Sequence, residues 1–513
     1  MAIESAANQF EDAAVAEAGP TSASSLPLCV DLDGTLVKSD TLVDTVLVLA
    51  RQDPAAVLRF PAWMAQGKAA FKRRVSSLAE LDVERLPYNG PLLEYLREEH
   101  AKGREIWLAT GADTLLAERV AEYLRLFTGV LASDGEVNLT GKNKLAAFEQ
   151  RFPQGFCYIG NARPDIPLLA ACVMPMVANP HRALNAGLRA ARVTPARTFA
   201  DSVSPAKAWV KAIRLHQWTK NTLIFLPLLL AHQRAAGPVV ATFMAFFSFG
   251  FAASATYIVN DLLDLEADRH HARKRRRPFA AGDLSPIAGV LTSLLFFAAS
   301  LALAIALPHV LGTPSPQVSA QGPAFLEWLA LYVVVTMAYS LRLKRMALVD
   351  VIVLSGLYTI RLLAGSAAAE VPISPWLAAF SIFFFLSLAF VKRFSELEAM
   401  LEGTEAPAAV AVKGRGYRVS DLEQVRSFGT ASGCASVVVF ALYIGLNEAA
   451  RELYPNYGRL WLLVPVLLLW LFRLWLLASR GELHEDPVVY AITDKRSLML
   501  GTLVVGIIVS AAL

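Results

Sequence analysis

The densest chemistry in the sequence is Asn260-Asp261-Leu262-Leu263-Asp264-Leu265-Glu266-Ala267-Asp268, where a long apolar segment, Phe243 to Val259, runs out into a basic loop. On a continuous helix Asp261, Asp264 and Asp268 stand at i, i+3 and i+7 and share one face. Carboxylates so close repel one another, and the C-terminal end of a helix disfavours negative charge further. A cation should hold them together. An all-oxygen set with open positions suits Mg²⁺ carrying a phosphate or diphosphate.

A second set lies near the N-terminus, where the apolar run Leu26 to Val30 opens into Asp31-Leu32-Asp33-Gly34-Thr35. Two carboxylates, a glycine and a hydroxyl at the end of a strand place an anion-handling site at the carboxyl edge of a parallel sheet. Ile106 to Thr110 reads as another strand ending in a hydroxyl, and Gly141 to Lys144 brings a lysine. A further strand, Phe156 to Ile159, leads into Gly160-Asn161-Ala162-Arg163-Pro164-Asp165.

The elements that position these residues belong to two unlike halves. With 55% hydrophobic residues and a mean hydropathy of +0.44, the 513-residue chain is too apolar for a purely soluble enzyme, yet its first two hundred residues have ordinary soluble composition. The net charge of +4 is small for this length. Four cysteines without paired or metal-type spacing (Cys29, Cys157, Cys172, Cys434) indicate free thiols. Residues 1–25 are expected to be a disordered tail without signal-peptide character, 26–200 an α/β domain, 201–208 a linker and 209–513 a membrane domain. Helical periodicity within 38–104 predicts a helical cap over the Asp31 site. Its basic run, Lys68, Lys72, Arg73 and Arg74, is read as a solvated face or as a contact for anionic lipid headgroups.

From Trp209 onward nine apolar segments of about spanning length are expected, near 221–236, 238–259, 286–306, 324–340, 347–366, 375–391, 428–446, 458–478 and 497–513. Lys and Arg concentrate after the even-numbered spans, which places those loops, the N-terminal domain and both acidic sites on the cytoplasmic side of an inner membrane. Polar clusters collect in the same loops: Gln217, Lys220 and Asn221 before the first span; Lys274 and Arg277 after the acidic motif; Tyr339, Lys344 and Asp350 around one short loop; Lys392, Arg393 and Glu396 after another; and Arg415 with Tyr417 downstream. Positive-inside topology explains many of these cations. It does not require Asp350 and Arg361 inside an apolar segment, where ionisable groups are costly and usually functional. Basic residues without interleaved aromatic platforms argue against nucleic-acid binding.

The Asp-x-Asp-x-Thr strand end and the three pieces that follow resemble the haloacid dehalogenase (HAD) phosphatase superfamily, which implies a Rossmann-like α/β domain. The resemblance makes Asp31 the nucleophile and Asp33 the general acid and base. It gives Thr110 and Lys144 the phosphoryl group, and sets Asp31, Asp33 and Asp165 around Mg²⁺. Asn161 stands where that superfamily usually has an aspartate, which weakens the expected metal affinity.

The membrane half resembles the UbiA-type intramembrane prenyltransferases through Asn260-Asp261-x-x-Asp264-x-x-x-Asp268. Their usual second aspartate-rich motif is replaced here by Lys392-Arg393-Phe394-Ser395-Glu396-Leu397. With that replacement the chain looks like the branch that transfers phosphoribose from phosphoribosyl pyrophosphate to a polyprenyl phosphate. The resemblance implies one Mg²⁺ in each half and a lipid acceptor held by cations; the fusion of two halves facing one compartment suggests that the N-terminal domain removes the ribose 5-phosphate of the product. The alternative is a prenyltransferase using a prenyl diphosphate donor on an aromatic or lipid acceptor, with the N-terminal domain accessory or regulatory.

Overall fold

The structure, a computed structural model, describes residues 25–311, 324–372, 374–402, 416–446, 448–483 and 487–513. The tail expected over 1–25 lies outside these residues apart from Ser25, and so does Arg415. The chain forms two compact units, one made of the chain up to Ile213 together with Ile258–Thr292, the other of Arg214–Tyr257 and Ser293–Leu513.

The first unit is built on a parallel sheet of six strands: β1 (Leu28–Val30), β2 (Ile106–Asp113), β3 (Gly129–Ser133), β4 (Cys157–Gly160), β5 (Met174–Ala178) and β6 (Arg197–Phe199), in the order β3-β2-β1-β4-β5-β6. β1 is central and fully buried, which is why it reads as an unbroken apolar run. Its alternation divides the two faces: Leu28 and Val30 enter one core with Cys157 and Ile159, while Cys29 enters the other with Tyr158 and Phe148. The strand order reverses beside β1, between β2 and β4, so the carboxyl ends of these strands open a crevice suited to an anion.

Between β1 and β2 the chain is helical, with helices Thr41–Gln52, Lys68–Leu78 and Gly90–Ala101 among them. Asp40 caps the first through Val43 N and Asn89 the last through Leu92 N. The parallel sheet agrees with the α/β expectation, but layering and strand order are shared by many unrelated superfamilies. The narrower expectation of a haloacid dehalogenase fold is therefore corrected to a six-stranded parallel α/β sheet.

The nine expected spans are also corrected. Among the described residues seven helices are long and apolar enough to cross a membrane: Ala236–Leu263, Pro286–Leu311, Val349–Ala368, Pro375–Met400, Val419–Leu446, Tyr457–Ala478 and Lys495–Ala512. The chain is a multi-pass membrane protein. The segment expected at 324–340 is a helix of 17 residues, Phe325–Leu341, shorter than a usual span. The segment expected at 221–236 is not one helix. It runs as 3-10 turns over Leu215–Phe225, restarts at Leu226 with Pro227 in the first turn, and ends at His232 with φ +51°. Its apolar composition serves internal packing, since Ile224 is fully buried and its carbonyl lies 2.2 Å from where a Cβ on Gly365 would stand. Only glycine lets the two backbones approach this closely.

Candidate functional site

The apolar helix Ala236–Leu263 breaks at Asp264 and resumes as Leu265–His270, so the acidic motif straddles a joint. Asp261 and Asp268 still converge: Arg277 Nη1 donates to Asp261 Oδ1 at 3.1 Å and to Asp268 Oδ2 at 2.7 Å. Both carboxylates are buried, at 2% exposure each. Burial pushes the Asp268 carboxyl up, and Arg277 draws it partly back. Asp264 faces another cation, Arg51 Nη2, at 3.7 Å. The three-carboxylate face expected from an unbroken helix is thus divided into a pair and a single. Lys274 lies in an exposed turn whose charge acts on Asp268, and Asn260 contributes its carbonyl to Asp264 N.

The second acidic set gathers at the carboxyl ends of β1, β2 and β4. Lys144 Nζ donates to Asp31 Oδ1 (2.7 Å) and to Tyr158 Oη (2.8 Å), and Tyr158 Oη donates onward to Asp165 Oδ1 (2.9 Å). Backbone N–H groups of Asn161 and Ala162 hold Asp165 Oδ2. Asp33 Oδ1 accepts from Thr41 N (2.8 Å) and Thr41 Oγ1 (2.7 Å), at the N-terminus of helix Thr41–Gln52. Burial raises the Asp31 carboxyl to about 6 against the pull of Lys144. Burial, and then the charge of Asp40, raises Asp33 to about 7. Thr110 is fully buried within β2, which runs on to Asp113 instead of ending at this hydroxyl as expected, and its Oγ1 accepts from Ala112 N. Two residues of the cap's basic run turn inward, Lys72 Nζ donating to the carbonyl of Gly111 (2.6 Å) and to Asn138 Oδ1 and Arg73 pairing with Asp113, while Lys68 and Arg74 stay exposed.

Both sets offer hard oxygen donors. Among the described residues no three His, Cys, Asp or Glu side chains come together as a cage able to hold a metal on their own. Two observations nevertheless fit Mg²⁺, which commonly takes one or two protein carboxylates and completes its shell with water and substrate phosphate. Asp261 and Asp268 already share a single cationic atom. Beside Asp31 and Asp165, Asn161 Oδ1 is buried without a hydrogen-bond partner, and its amide packs on Gly34, where a Cβ would stand 2.0 Å from Nδ2.

In the second unit the predicted polar residues form two internal networks. Asp350 accepts from Arg393 Nε and from Tyr417 Oη, each at 2.6 Å, while Arg393 also pairs with Glu396 and reaches Tyr339 Oη at 3.4 Å. Arg361 donates to Asn221 Oδ1 (2.9 Å), Tyr332 Oη (3.1 Å) and the carbonyl of Leu357. Arg361 and Arg393 are therefore committed to protein partners. Lys220 and Lys392 line one small cavity of about 30 Å³ together with Tyr358, over whose ring Lys220 Nζ lies at 5.5 Å. Gln217 belongs to the 3-10 stretch that carries Lys220 and Asn221, and Lys344 to the turn Leu343–Arg345.

Residues 222–499, more than half of the chain, match the model of the UbiA prenyltransferase family. The chain belongs to the UbiA prenyltransferase family. Over 490 residues, 95% of this chain and 91% of the relative, it is 37% identical to the uncharacterized protein y4nM of Sinorhizobium fredii. It is 32% identical over 249 residues, 48% of this chain and 72% of the relative, to a decaprenyl-phosphate phosphoribosyltransferase of Mycolicibacterium smegmatis. A UbiA homologue of Archaeoglobus fulgidus, solved with GPP and Mg²⁺, is 14% identical and covers 60% of this chain and 99% of its own, at a TM-score of 0.43. The UbiA match does not reach the N-terminal sheet. Solved chains that cover 34% of this one do so at TM-scores of 0.27 and 0.23, too low to assign a haloacid dehalogenase domain.

Beside the UbiA motif, three side chains contribute that sequence reasoning did not single out. Tyr158 relays between Lys144 and Asp165; as a tyrosine on a strand buried on both faces it needed a partner for its hydroxyl, and that was a readable signal. Thr41 holds Asp33, and Arg269 pairs with Asp44; nothing in the local pattern marks either contact.

Proposed function

We propose that this chain transfers a 5-phosphoribosyl group from phosphoribosyl pyrophosphate to a polyprenyl phosphate in its UbiA part, and that the Asp31 crevice removes the 5-phosphate from the lipid-linked product. The observation that carries the first step is the convergence of the Asp261 and Asp268 carboxylates on one cationic atom, Arg277 Nη1. That pair, with the matching relatives named decaprenyl-phosphate phosphoribosyltransferase, supports a diphosphate leaving group and a phosphate acceptor. Asp261 and Asp268 would hold a Mg²⁺, which would supply charge neutralisation for a departing diphosphate. Arg277 and Lys274 add positive charge beside those carboxylates. Lys220 and Lys392 suit the phosphate of the lipid acceptor, which needs no general base because a phosphate monoester is already ionised near neutral pH. Positioning and electrostatic stabilisation are then the main catalytic terms.

In the Asp31 crevice, Asp31 Oδ attacks phosphorus and the P–O bond to ribose breaks. Asp33 gives its proton to the leaving oxygen, and Lys144 offsets the phosphate charge that would repel a carboxylate. Water then hydrolyses the aspartyl phosphate, with Asp33 taking the water proton. A pKa of about 7 leaves Asp33 able to hold and to accept that proton. Asp31, Asp165 and Asn161 Oδ1 would hold a second Mg²⁺. This reading places the acidic sites on the cytoplasmic side of an inner membrane, the side from which a water-soluble donor is supplied.

The test is incubation of the full-length protein in detergent with labelled phosphoribosyl pyrophosphate, a polyprenyl phosphate and Mg²⁺. Ribose label entering the lipid fraction, and blocked by EDTA, supports the reading. Label that stays in water while a prenyl diphosphate donor is consumed instead sinks it.

A further inference from the structure

The basic run Arg273–Arg277 does not act as one cluster. Arg277 turns to Asp261 and Asp268, whereas Arg275 and Arg276 line a separate cavity of about 780 Å³, all of whose walls belong to the first unit. That volume lies within the range of ligand sites. One wall comes from the loop after β1 (Lys38) and the turn Val83–Arg85, another from helix Pro205–Ile213 (Lys211), and another from the loop that follows the acidic motif.

Charge in the cavity is unbalanced. Lys38 is offset by Asp201 (3.6 Å) and Asp283 (3.5 Å), and Arg269, 6% exposed in the wall, by Asp44. Arg85, Lys211, Arg275 and Arg276 line it too, together with Glu84. Lys211 donates to the carbonyl of Arg276, which shapes the loop without neutralising the lysine. Six cations (Lys38, Arg85, Lys211, Arg269, Arg275 and Arg276) against three carboxylates (Glu84, Asp201 and Asp283) line the concavity, an excess of positive charge that differs from a solvated helix face, where such charges spread apart. Guanidinium forks suit phosphate oxygens.

We propose that this cavity binds a phosphate- or diphosphate-bearing anion, at a site separate from the Asp261–Asp268 pair and from the Asp31 crevice. Arg275 and Arg276 are its principal anion donors, with Lys211 and Arg85 supporting and Glu84 limiting affinity. The site lacks a carboxylate cage, so it takes its anion without a divalent cation, which distinguishes it from both acidic sets. The anion is either a free phosphate compound or the phosphate of a lipid head group.

The test uses full-length protein in detergent with EDTA present, which suppresses metal-dependent binding, and radiolabelled inorganic pyrophosphate in equilibrium dialysis. Wild type should bind saturably. Arg275→Gln with Arg276→Gln should weaken binding by at least about tenfold. Glu84→Gln, which removes one of the three lining carboxylates, should tighten it severalfold; a gain cannot come from misfolding. Wild type that binds no pyrophosphate under EDTA, or an arginine double variant that binds as wild type does, overturns the proposal. Competition assigns the source: displacement by ribose 5-phosphate alone indicates a free ligand, and displacement by a short-chain polyprenyl phosphate alone indicates a lipid head group. Equal displacement by phosphatidylglycerol micelles would mean a general membrane-facing basic surface and would also overturn it.

Discussion

Arg269, the residue after Asp268, donates from Nη2 to Asp44 Oδ2 across 2.8 Å, with the two side chains 4% and 0% exposed. Asp44 sits on helix Thr41–Gln52, whose first residue holds Asp33 through two hydrogen bonds. From the last turn of the same helix Arg51 donates to the carbonyl of Leu263 (3.2 Å) and faces Asp264. One helix thus touches Asp33 with its first residue, Arg269 from its first turn and the acidic joint at its end, all within the first unit.

Arg269→Ala should leave the Asp44 carboxylate buried without its cation. Removing one partner of a buried pair costs about 3 kcal/mol, so the thermal midpoint of the full-length protein in detergent should fall by several degrees. Asp44→Leu combined with Arg269→Leu removes both charges and should recover most of the loss. An unchanged midpoint in the single variant contradicts the pairing.

The phosphatase step should show a bell-shaped pH dependence. Asp31 acts as the anion, so the rate rises as pH climbs through about 6; Asp33 acts as the acid, so the rate falls as pH passes about 7. A bound cation favours the ionised forms of both carboxyls, since the charge of Asp31 is one of the causes that raise Asp33, and moves both limbs lower. Phosphate release from p-nitrophenyl phosphate by the full-length chain reads this profile. A rate that stays flat from about pH 5 to about pH 8 contradicts the assignment.

Asp261→Asn and Asp268→Asn should each lower transfer by about a hundredfold or more, the scale expected for losing charge stabilisation of a leaving group. Asp264→Asn should cost less, because its carboxylate faces Arg51 instead of the shared cationic point. Initial rates of lipid labelling separate the three; equal losses would mean that the carboxylates act as one cage after all.

Leu348 occupies the centre of a γ-turn at φ +65°, with Val349 N donating to Ala347 O, and its own N–H donates to Tyr417 Oη at 2.9 Å. Tyr417→Phe removes that acceptor and the hydrogen bond to Asp350, and should destabilise the protein by about 1–3 kcal/mol. Leu348→Gly relieves a conformation that a side chain disfavours and should raise the thermal midpoint slightly. A drop on Leu348→Gly as large as that on Tyr417→Phe would show that the turn is not strained.

The sequence carried the fold where a single physical signal dominates. Leu28–Val30 announced a central parallel strand, because burial on both faces leaves an unbroken apolar run. It misled at 221–236, because apolar composition reports burial and not helix continuity, and Pro227 with the close approach of Ile224 to Gly365 broke the span. The spacing of Asp261, Asp264 and Asp268 assumed a continuous helix; the joint at Asp264 released one carboxylate to Arg51, and no local pattern encodes a partner more than two hundred residues away. Arg361 and Arg393 were legible as costly charges in apolar helices, but the sequence could not say that Asn221, Tyr332, Asp350 and Glu396 would satisfy them.

The most direct test of the account resolves by mass the lipid products made from phosphoribosyl pyrophosphate and a polyprenyl phosphate by wild type, Asp31→Asn and Asp268→Asn. The account predicts ribosyl lipid without the 5-phosphate from wild type, phosphoribosyl lipid accumulating with Asp31→Asn, and almost no sugar on lipid with Asp268→Asn. Lipid left without sugar by both wild type and Asp31→Asn would contradict it.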